Sequence, residues 1–493
     1  MSAALHPARR LAELLPELGA SALGALAVDG LCMDSREVRP GDAFIALAGA
    51  RHDGLTFAPA ALARGARVVL ADADACTTPG EHIVAVPHLA ARVSEVAGRF
   101  YEDPSHGLML VGVTGTNGKT TCTQLIAGAF ESLGTPCGVI GTLGWGFPGR
   151  LDAARHTTPD AVAVQRMLAT LRDAGARATA LEVSSHALEQ GRVRALQFRS
   201  AVFTNLTHDH LDYHGTLENY GAAKQLLFAQ PGLQHALINV DDAWGRHLLQ
   251  TLPPAVHGVG YGLREEGAVL RATRVVNERG GLRAEVVSEW GEGSLFLPLF
   301  GRFNLYNALA VLGVLCVNGV ALADALAVLE HAQPIAGRMQ RISAPTAPLV
   351  IVDYAHSPDA LEQVLRALRE HTDGRLWCVF GCGGDRDHAK RPLMGRIAWE
   401  NADEVLITSD NPRSEDPHAI IEDIATGIPQ PDAARESDRA VAIRRAILQA
   451  APGDCVLIAG KGHEAYQEAA GVRVPFSDAV VAREALAARE AGS

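Results

Sequence analysis

Val111 to Thr121 reads V-G-V-T-G-T-N-G-K-T-T. The apolar run Leu108–Val113 before it has the length and composition of a buried strand. The pattern through Leu125, Ile126 and Phe130 after it is that of an amphipathic helix, which Gly134 can terminate. Gly112, Gly115 and Gly118 let the backbone between them bend so that successive N–H groups face phosphate oxygens. The helix N-terminus adds partial positive charge, Lys119 a full one, and the Thr120 hydroxyl can reach Mg²⁺. The strict G-x-x-x-x-G-K-[ST] pattern is not met, because Val113 stands where the first glycine would be. The alternative is an ordinary glycine-rich turn. Strand, helix and Lys–Thr pair fall in place together, which favours nucleotide binding.

Outward from this loop, strand-like runs recur at Thr179–Val183, Ala201–Leu206 and Ala236–Val240, with room for a crossover helix between them. That alternation predicts a mostly parallel sheet covered on both faces. An earlier α/β block holds the runs Ala43–Leu47 and Arg67–Leu70, with a helical pattern from Phe57 to Arg64. It ends near Tyr101–Gly107. A later block begins near Ala332–Gly337 and carries strands at Leu349–Asp353, Leu376–Phe380, Val405–Thr408 and Cys455–Ala459. There Ser357 and Pro358 read as N-cap and first residue of a helix, with Leu361, Val364, Leu365 and Leu368 as its buried stripe. The expected boundaries are 1–105, 106–336 and 337–493.

Composition agrees with several packed domains. The chain has 493 residues, 48% hydrophobic and 20% charged, close to the globular average. With 44 Lys and Arg against 56 Asp and Glu, its net charge is −12. So acidic a chain has no general attraction for nucleic acid or anionic lipid, and any phosphate must meet a local device. Aromatics at 5% leave little for base stacking. The eight scattered cysteines read as reduced thiols. Glu13, Pro16 and Glu17 interrupt the first apolar run, so no signal peptide is expected. Asn318 and Asp324 break Ala308–Leu329 into two buried helices rather than a membrane span. A cytoplasmic protein is expected, with no nucleic-acid partner and no membrane insertion.

Polar residues gather where strands should end: E-V-S-S-H at Glu182–His186 and N-L-T-H-D-H-L-D-Y-H at Asn205–His214. Glu182 and His210 could complete the coordination of a metal ion held by the nucleotide. Any single histidine here could instead cap a helix or lie in solvent. A rival chemistry is a binuclear metallohydrolase using His208, His210, Asp212 and His214, whose H-x-H-x-D-H motif differs by the inserted Tyr213. Lys224, in Y-G-A-A-K-Q-L-L-F, sits among apolar neighbours where a neutral amine can be covalently modified.

Together T-G-T-N-G-K-T-T, E-V-S-S-H, the Asn205–His214 segment, Y-x-x-A-K, G-R-F-N-L-Y-N and D-Y-A-H, in this order, resemble the Mur ligase family over essentially the whole chain. These are ATP-dependent amino-acid ligases of peptidoglycan precursor synthesis, and so of cell-wall biogenesis, cell shape and cell division. D-N-P-R at Asp410–Arg413, with G-C-G-G-D-R-D and G-K-G-H-E, resembles the members that add diaminopimelate as third residue; the lysine-adding members are the alternative. The resemblance implies an α/β fold of three domains. A central P-loop ATPase domain with a parallel sheet is flanked by a small N-terminal α/β domain for the UDP-sugar. A C-terminal Rossmann-like α/β domain takes the amino acid.

The resemblance also implies site residues. ATP would meet Gly115, Thr116, Asn117, Gly118, Lys119, Thr120, Thr121 and Asn307, with Arg338, Asp353 and His356 from the third domain. Mg²⁺ would be held by Thr120, Glu182, His210 and Lys224, the last as N6-carboxylysine; Lys119, Glu182, His210 and Lys224 are the implied catalytic set. UDP-N-acetylmuramoyl-L-alanyl-D-glutamate would meet Met33, Ser35, Thr157, Thr158, Ser184, Gln190 and Arg192; His156 stands where the family often has Asn. Meso-diaminopimelate would meet Arg386, Asp410, Asn411, Pro412, Arg413, Gly460 and Glu464. Arg413 or Arg386 would pair its distal carboxylate, and Glu464 an ammonium. The implied reaction runs through an acyl phosphate, on a monomer.

Overall fold

The computed structural model describes residues 6–49, 53–74, 82–278, 280–342, 347–429 and 433–491. The chain divides into two compact units, residues 1–206, 210–270 and 310–321 in the first, and 207–209, 271–309 and 322–493 in the second.

The first unit holds two larger sheets and the small antiparallel pair Arg9–Arg10 with Ala27–Val28. Strands Gly30–Cys32, Asp42–Ala46, Val68–Asp72 and Ile83–Val86 lie parallel in chain order. Val93, Val96, Ala97 and Phe100 of the helix Leu89–Phe100 close their core. The larger sheet begins with an antiparallel edge, Arg150–Asp152 and Gly144–Phe147. Parallel strands follow in the order Cys137–Gly141, Ala178–Glu182, Met109–Thr114, Ser200–Phe203, His235–Asn239 and His257–Gly262. The chain leaves Met109–Thr114, lays strands on one side of it, then crosses to the other. That strand is therefore the switch point, where a doubly wound sheet opens a crevice at its carboxyl end.

The second unit opens with an antiparallel meander, Leu270–Glu278, Gly281–Ser288 and Gly291–Leu297, against which the helix Leu322–Leu329 packs. Its main sheet runs Gln340–Ile342, Leu349–Asp353, Cys455–Ala459, Leu376–Phe380, Glu404–Ile407 and Ala434–Arg435, parallel except at the first edge. Ser357 caps Pro358–Arg369 by accepting from the Ala360 N–H, and Leu361, Val364, Leu365 and Leu368 are buried as expected. Each such side chain contributes roughly 1.5–3 kcal/mol on burial.

Every strand expected from the sequence is present with its ends within two residues, except that Ser200–Phe203 stops three residues short of Leu206. The meander, the Gly144–Asp152 hairpin and several edge strands, among them Gly30–Cys32 and Ala434–Arg435, have no counterpart in the sequence reading. Ala308–Leu329 falls on the helices Arg302–Val317 and Leu322–Leu329. Among the described residues no helix is long and apolar enough to cross a membrane. The seven described cysteines are unbridged, and Cys76 lies outside the described residues.

Candidate functional site

The glycine loop joins strand Met109–Thr114 to helix Lys119–Ser132. Gly115 (φ +144°) and Gly118 (φ +88°) occupy backbone conformations that side chains disfavour. A Cβ on Gly115 would overlap the Thr204 hydroxyl. The next strand end pins the loop. Asn205 Oδ1 accepts from Asn117 N at 2.9 Å, Asn205 O from Thr116 N at 2.8 Å, and Thr204 Oγ1 donates to Asn117 O at 2.5 Å. Lys119 folds its ammonium onto the carbonyls of Gly115 and Thr116, each at 2.8 Å. Thr120 and Thr121 are buried in the first helical turn.

Beside the loop, register sets Glu182 opposite Val113. Its buried carboxylate accepts from Thr120 Oγ1 (3.1 Å), Thr142 N (2.9 Å) and Thr142 Oγ1 (3.0 Å). The Thr142 hydroxyl also lies 3.0 Å from that of Thr157. Thr158 donates to the Glu182 carbonyl at 2.7 Å and accepts from Ser184 N at 3.0 Å. Arg192 binds the Thr158 carbonyl at 2.7 Å and the side-chain oxygen of Gln190 at 2.6 and 3.0 Å. Thus Thr120, Glu182, Thr157, Thr158, Ser184, Gln190 and Arg192 form one connected group. Thr142, which joins Thr157 to Glu182, was not singled out in the sequence; its position just past strand Cys137–Gly141 was the available signal.

His186 neighbours three rings: His210 at 5.1 Å, Tyr213 at 4.1 Å and His214 at 5.3 Å. Burial, with His210 and His214 nearby, pushes its pKa down to about 4. His210 itself is exposed, with φ +54°. His214 is buried on Ser185 Oγ at 2.9 Å, 3.3 Å from the Glu189 carboxylate, while His208 and Asp212 are exposed. Among the described residues no three His, Cys, Asp or Glu side chains form a group that could hold a metal. Lys224, on helix Leu217–Gln225, is 1% exposed, its Nζ 4.1 Å from the Tyr220 ring centroid.

In the N-terminal sheet's loop, Met33 and Ser35 are half-buried on either side of Asp34. Arg36 grips Asp34 by two hydrogen bonds of 2.8 and 2.9 Å, and Arg155 approaches at 3.4 Å. Led by the Arg36 contact, these hold its pKa at about 2.

In the second unit, Asp353 accepts from Met339 N at 2.7 Å and Ala355 N at 2.8 Å; burial raises its pKa against the pull of the Arg338 charge. Arg338 lies over the Tyr354 ring at 4.5 Å, and His356 Nδ1 is 2.8 Å from the Tyr354 carbonyl. These three expected residues are gathered. Asn307, buried on helix Arg302–Val317, donates to Asn304.

Asp410, Asn411 and Pro412 are buried after strand Glu404–Ile407. Arg413 (φ +54°) donates to the Gly384 carbonyl at 2.6 Å, whereas Arg386 is exposed. Glu464 meets Asn411 at 2.7 Å, and a Cβ on Gly460 would press on the Asp410 carboxylate.

Residues 27–101 match the Mur ligase family catalytic domain, 113–315 the Mur ligase middle domain and 337–462 the Mur ligase glutamate ligase domain. A UDP-N-acetylmuramoyl-L-alanyl-D-glutamate–2,6-diaminopimelate ligase of Ectopseudomonas mendocina is 52% identical over 98% of this chain and 99% of its own. The protein of that name from Pseudomonas aeruginosa is 53% identical over 94% and 96%. A solved structure so named superposes with a TM-score of 0.73 at 39% identity, covering 98% of this chain and all of the other. A MurF ligase from Thermotoga maritima in complex with ADP shares the fold, at a TM-score of 0.63 and 20% identity over 93% and 96%. The chain belongs to the Mur ligase family, with its three-domain α/β fold and central parallel sheet.

Proposed function

We propose that this chain is an ATP-dependent amide-forming ligase that adds meso-2,6-diaminopimelate to the D-glutamate of UDP-N-acetylmuramoyl-L-alanyl-D-glutamate, releasing ADP and phosphate. The observation that carries the reading is the hydrogen-bonded run Thr120–Glu182–Thr142–Thr157, which connects the phosphate loop to Thr157, a residue the family resemblance assigns to the muramoyl dipeptide. Relatives more than 50% identical bear this activity in their names, which favours it over the metallohydrolase and lysine-adding alternatives. The domain boundaries 1–105, 106–336 and 337–493 enclose the three matched spans. The reading also has the chain act in the cytoplasm, as a monomer.

A carboxylate is a poor electrophile, and amide formation requires its activation. A γ-carboxylate oxygen of D-glutamate attacks the ATP γ-phosphorus, the bond to ADP breaks, and an acyl phosphate results. The diaminopimelate amine then attacks the acyl carbon, gives up a proton, and phosphate leaves. Lys119, released from the loop carbonyls, offsets charge on the transferring phosphoryl group. Asn117, Gly118 and the helix N-terminus orient the triphosphate.

The oxygen-rich pair Thr120–Glu182 fits Mg²⁺, a hard cation. Thr120, Glu182, His210 and a carbamylated Lys224 would hold it, and when bound it neutralises phosphate charge. Carbamylation forms an N–C bond between neutral Lys224 Nζ and carbon dioxide with loss of one proton. It replaces a cation by an oxygen ligand.

The test is phosphate release from ATP by the full chain. Release that requires both the UDP-muramoyl dipeptide and meso-diaminopimelate is expected, with L-lysine ineffective. Release independent of either acceptor overturns the reading.

A further inference from the structure

The turn after strand Cys455–Ala459 carries a cation with no outlet to solvent. Lys461 is 0% exposed, flanked by Gly460 (φ +115°) and Gly462 (φ +53°). Its Nζ lies 2.8 Å from Asn411 Oδ1, 2.9 Å from Glu464 Oε2 and 5.5 Å from the Tyr466 ring centroid. An ammonium donates and never accepts, so the Asn411 amide must turn its oxygen toward Lys461. That oxygen also accepts from Glu468 N at 3.0 Å, while Asn411 Nδ2 donates to Glu464 Oε2 at 2.7 Å. Glu464 Oε2 thus receives two donors. Its other oxygen has no hydrogen bond among the described residues, and the side chain is 19% exposed.

We propose that Lys461 is a positioning residue for the incoming diamino acid. It fixes the Asn411 amide and occupies one Glu464 oxygen, leaving the other to receive a substrate ammonium. By offsetting the Glu464 charge it also weakens the hold on an ammonium that comes without a neighbouring carboxylate, as at the far end of lysine. The inference rests on the placement of Asn411 and Glu464 in the diaminopimelate site proposed above.

Steady-state kinetics of the full chain with Lys461→Met and Lys461→Gln test it, with ATP binding by calorimetry reporting the folded state. Each variant is expected to raise KM for meso-diaminopimelate at least about tenfold, the effect of leaving buried polar groups unpaired. KM for ATP and for the UDP-muramoyl dipeptide should stay within about twofold, and discrimination against L-lysine should fall. Because Lys461, Asn411 and Glu464 form one hydrogen-bonded unit, Lys461→Met in a Glu464→Gln background should add clearly less than it does in the parent chain. Unchanged KM for meso-diaminopimelate, an equal rise for all three substrates, additivity in the double variant, or failure of both single variants to fold would each overturn the proposal. If the unsubstituted chain does not incorporate meso-diaminopimelate at all, the assigned reaction fails and this inference falls with it. A fully active parent with unaltered variants removes only the role of Lys461.

Discussion

Thr120 donates its hydroxyl to Glu182 Oε2 across 3.1 Å, although the two residues lie 62 apart in the chain. Parallel pairing of Ala178–Glu182 with Met109–Thr114 brings them together. Gly141 allows it, because a Cβ there would collide with the Glu182 carboxylate. The carboxylate is further held by the Thr142 N–H and hydroxyl, so its direction is set before any nucleotide arrives.

Glu182→Gln keeps the shape and most of these contacts but removes the charge. It should lower kcat by about 100-fold or more, the scale seen when a preorganised electrostatic partner is lost. Thermal unfolding should shift little. Stopped-time phosphate assays beside melting curves check both, and near-parental kcat would detach Glu182 from the chemistry.

Gly115→Ala places a methyl where Thr204 Oγ1 stands, at a φ of +144°. The strain, of order 1–3 kcal/mol, must be relieved by moving the loop off Thr204 and Asn205. ATP affinity should fall sharply while the N-terminal sheet stays folded. Calorimetric titration with ATP reads the loss, and unaltered affinity would show that the cradle tolerates a side chain.

Lys224 is buried with its Nζ over the Tyr220 ring. Replacement by Ala should reduce turnover by about 100-fold or more. Lys224→Arg should not recover it, because a guanidinium cannot become an oxygen ligand. Nuclear magnetic resonance of the parent chain in labelled bicarbonate should show a carbamate signal that both variants lack. Near-normal activity in either variant removes the carbamate.

His235 opens strand His235–Asn239, beside His257 at 5.8 Å, and its buried Nδ1 has no hydrogen-bond partner among the described residues. Burial, then the His257 and Arg199 charges, lower its pKa. The unfolded chain therefore binds more protons, and stability rises with pH through this window. Its contribution is fully present above about pH 6.5, the ordinary histidine pKa, and falls as pH drops toward the lower folded value. Urea unfolding across that range should show the slope, and His235→Asn should flatten it. An unchanged slope would place the titration elsewhere.

Much of this was legible because it is local. Glycine spacing and apolar periodicity mark strand Met109–Thr114, its loop and helix Lys119–Ser132 without reference to distant residues. The meander was equally written, with Leu282, Ala284 and Val286 inward and Arg283, Glu285 and Val287 between them. Its solvent-facing alternate residues keep it from forming the continuous apolar run that marks the buried parallel strands.

From its own letters the chain determined strand and helix positions, the phosphate loop and, through its motifs, the Mur ligase family. Tertiary structure alone decided that Thr142 bridges Glu182 to Thr157, and that Lys461 fixes Asn411 and Glu464. The reason is physical. Local conformation follows from neighbouring side chains, whereas strand order and register depend on which apolar faces are buried together. Those pairings select the polar groups that meet at the strand ends.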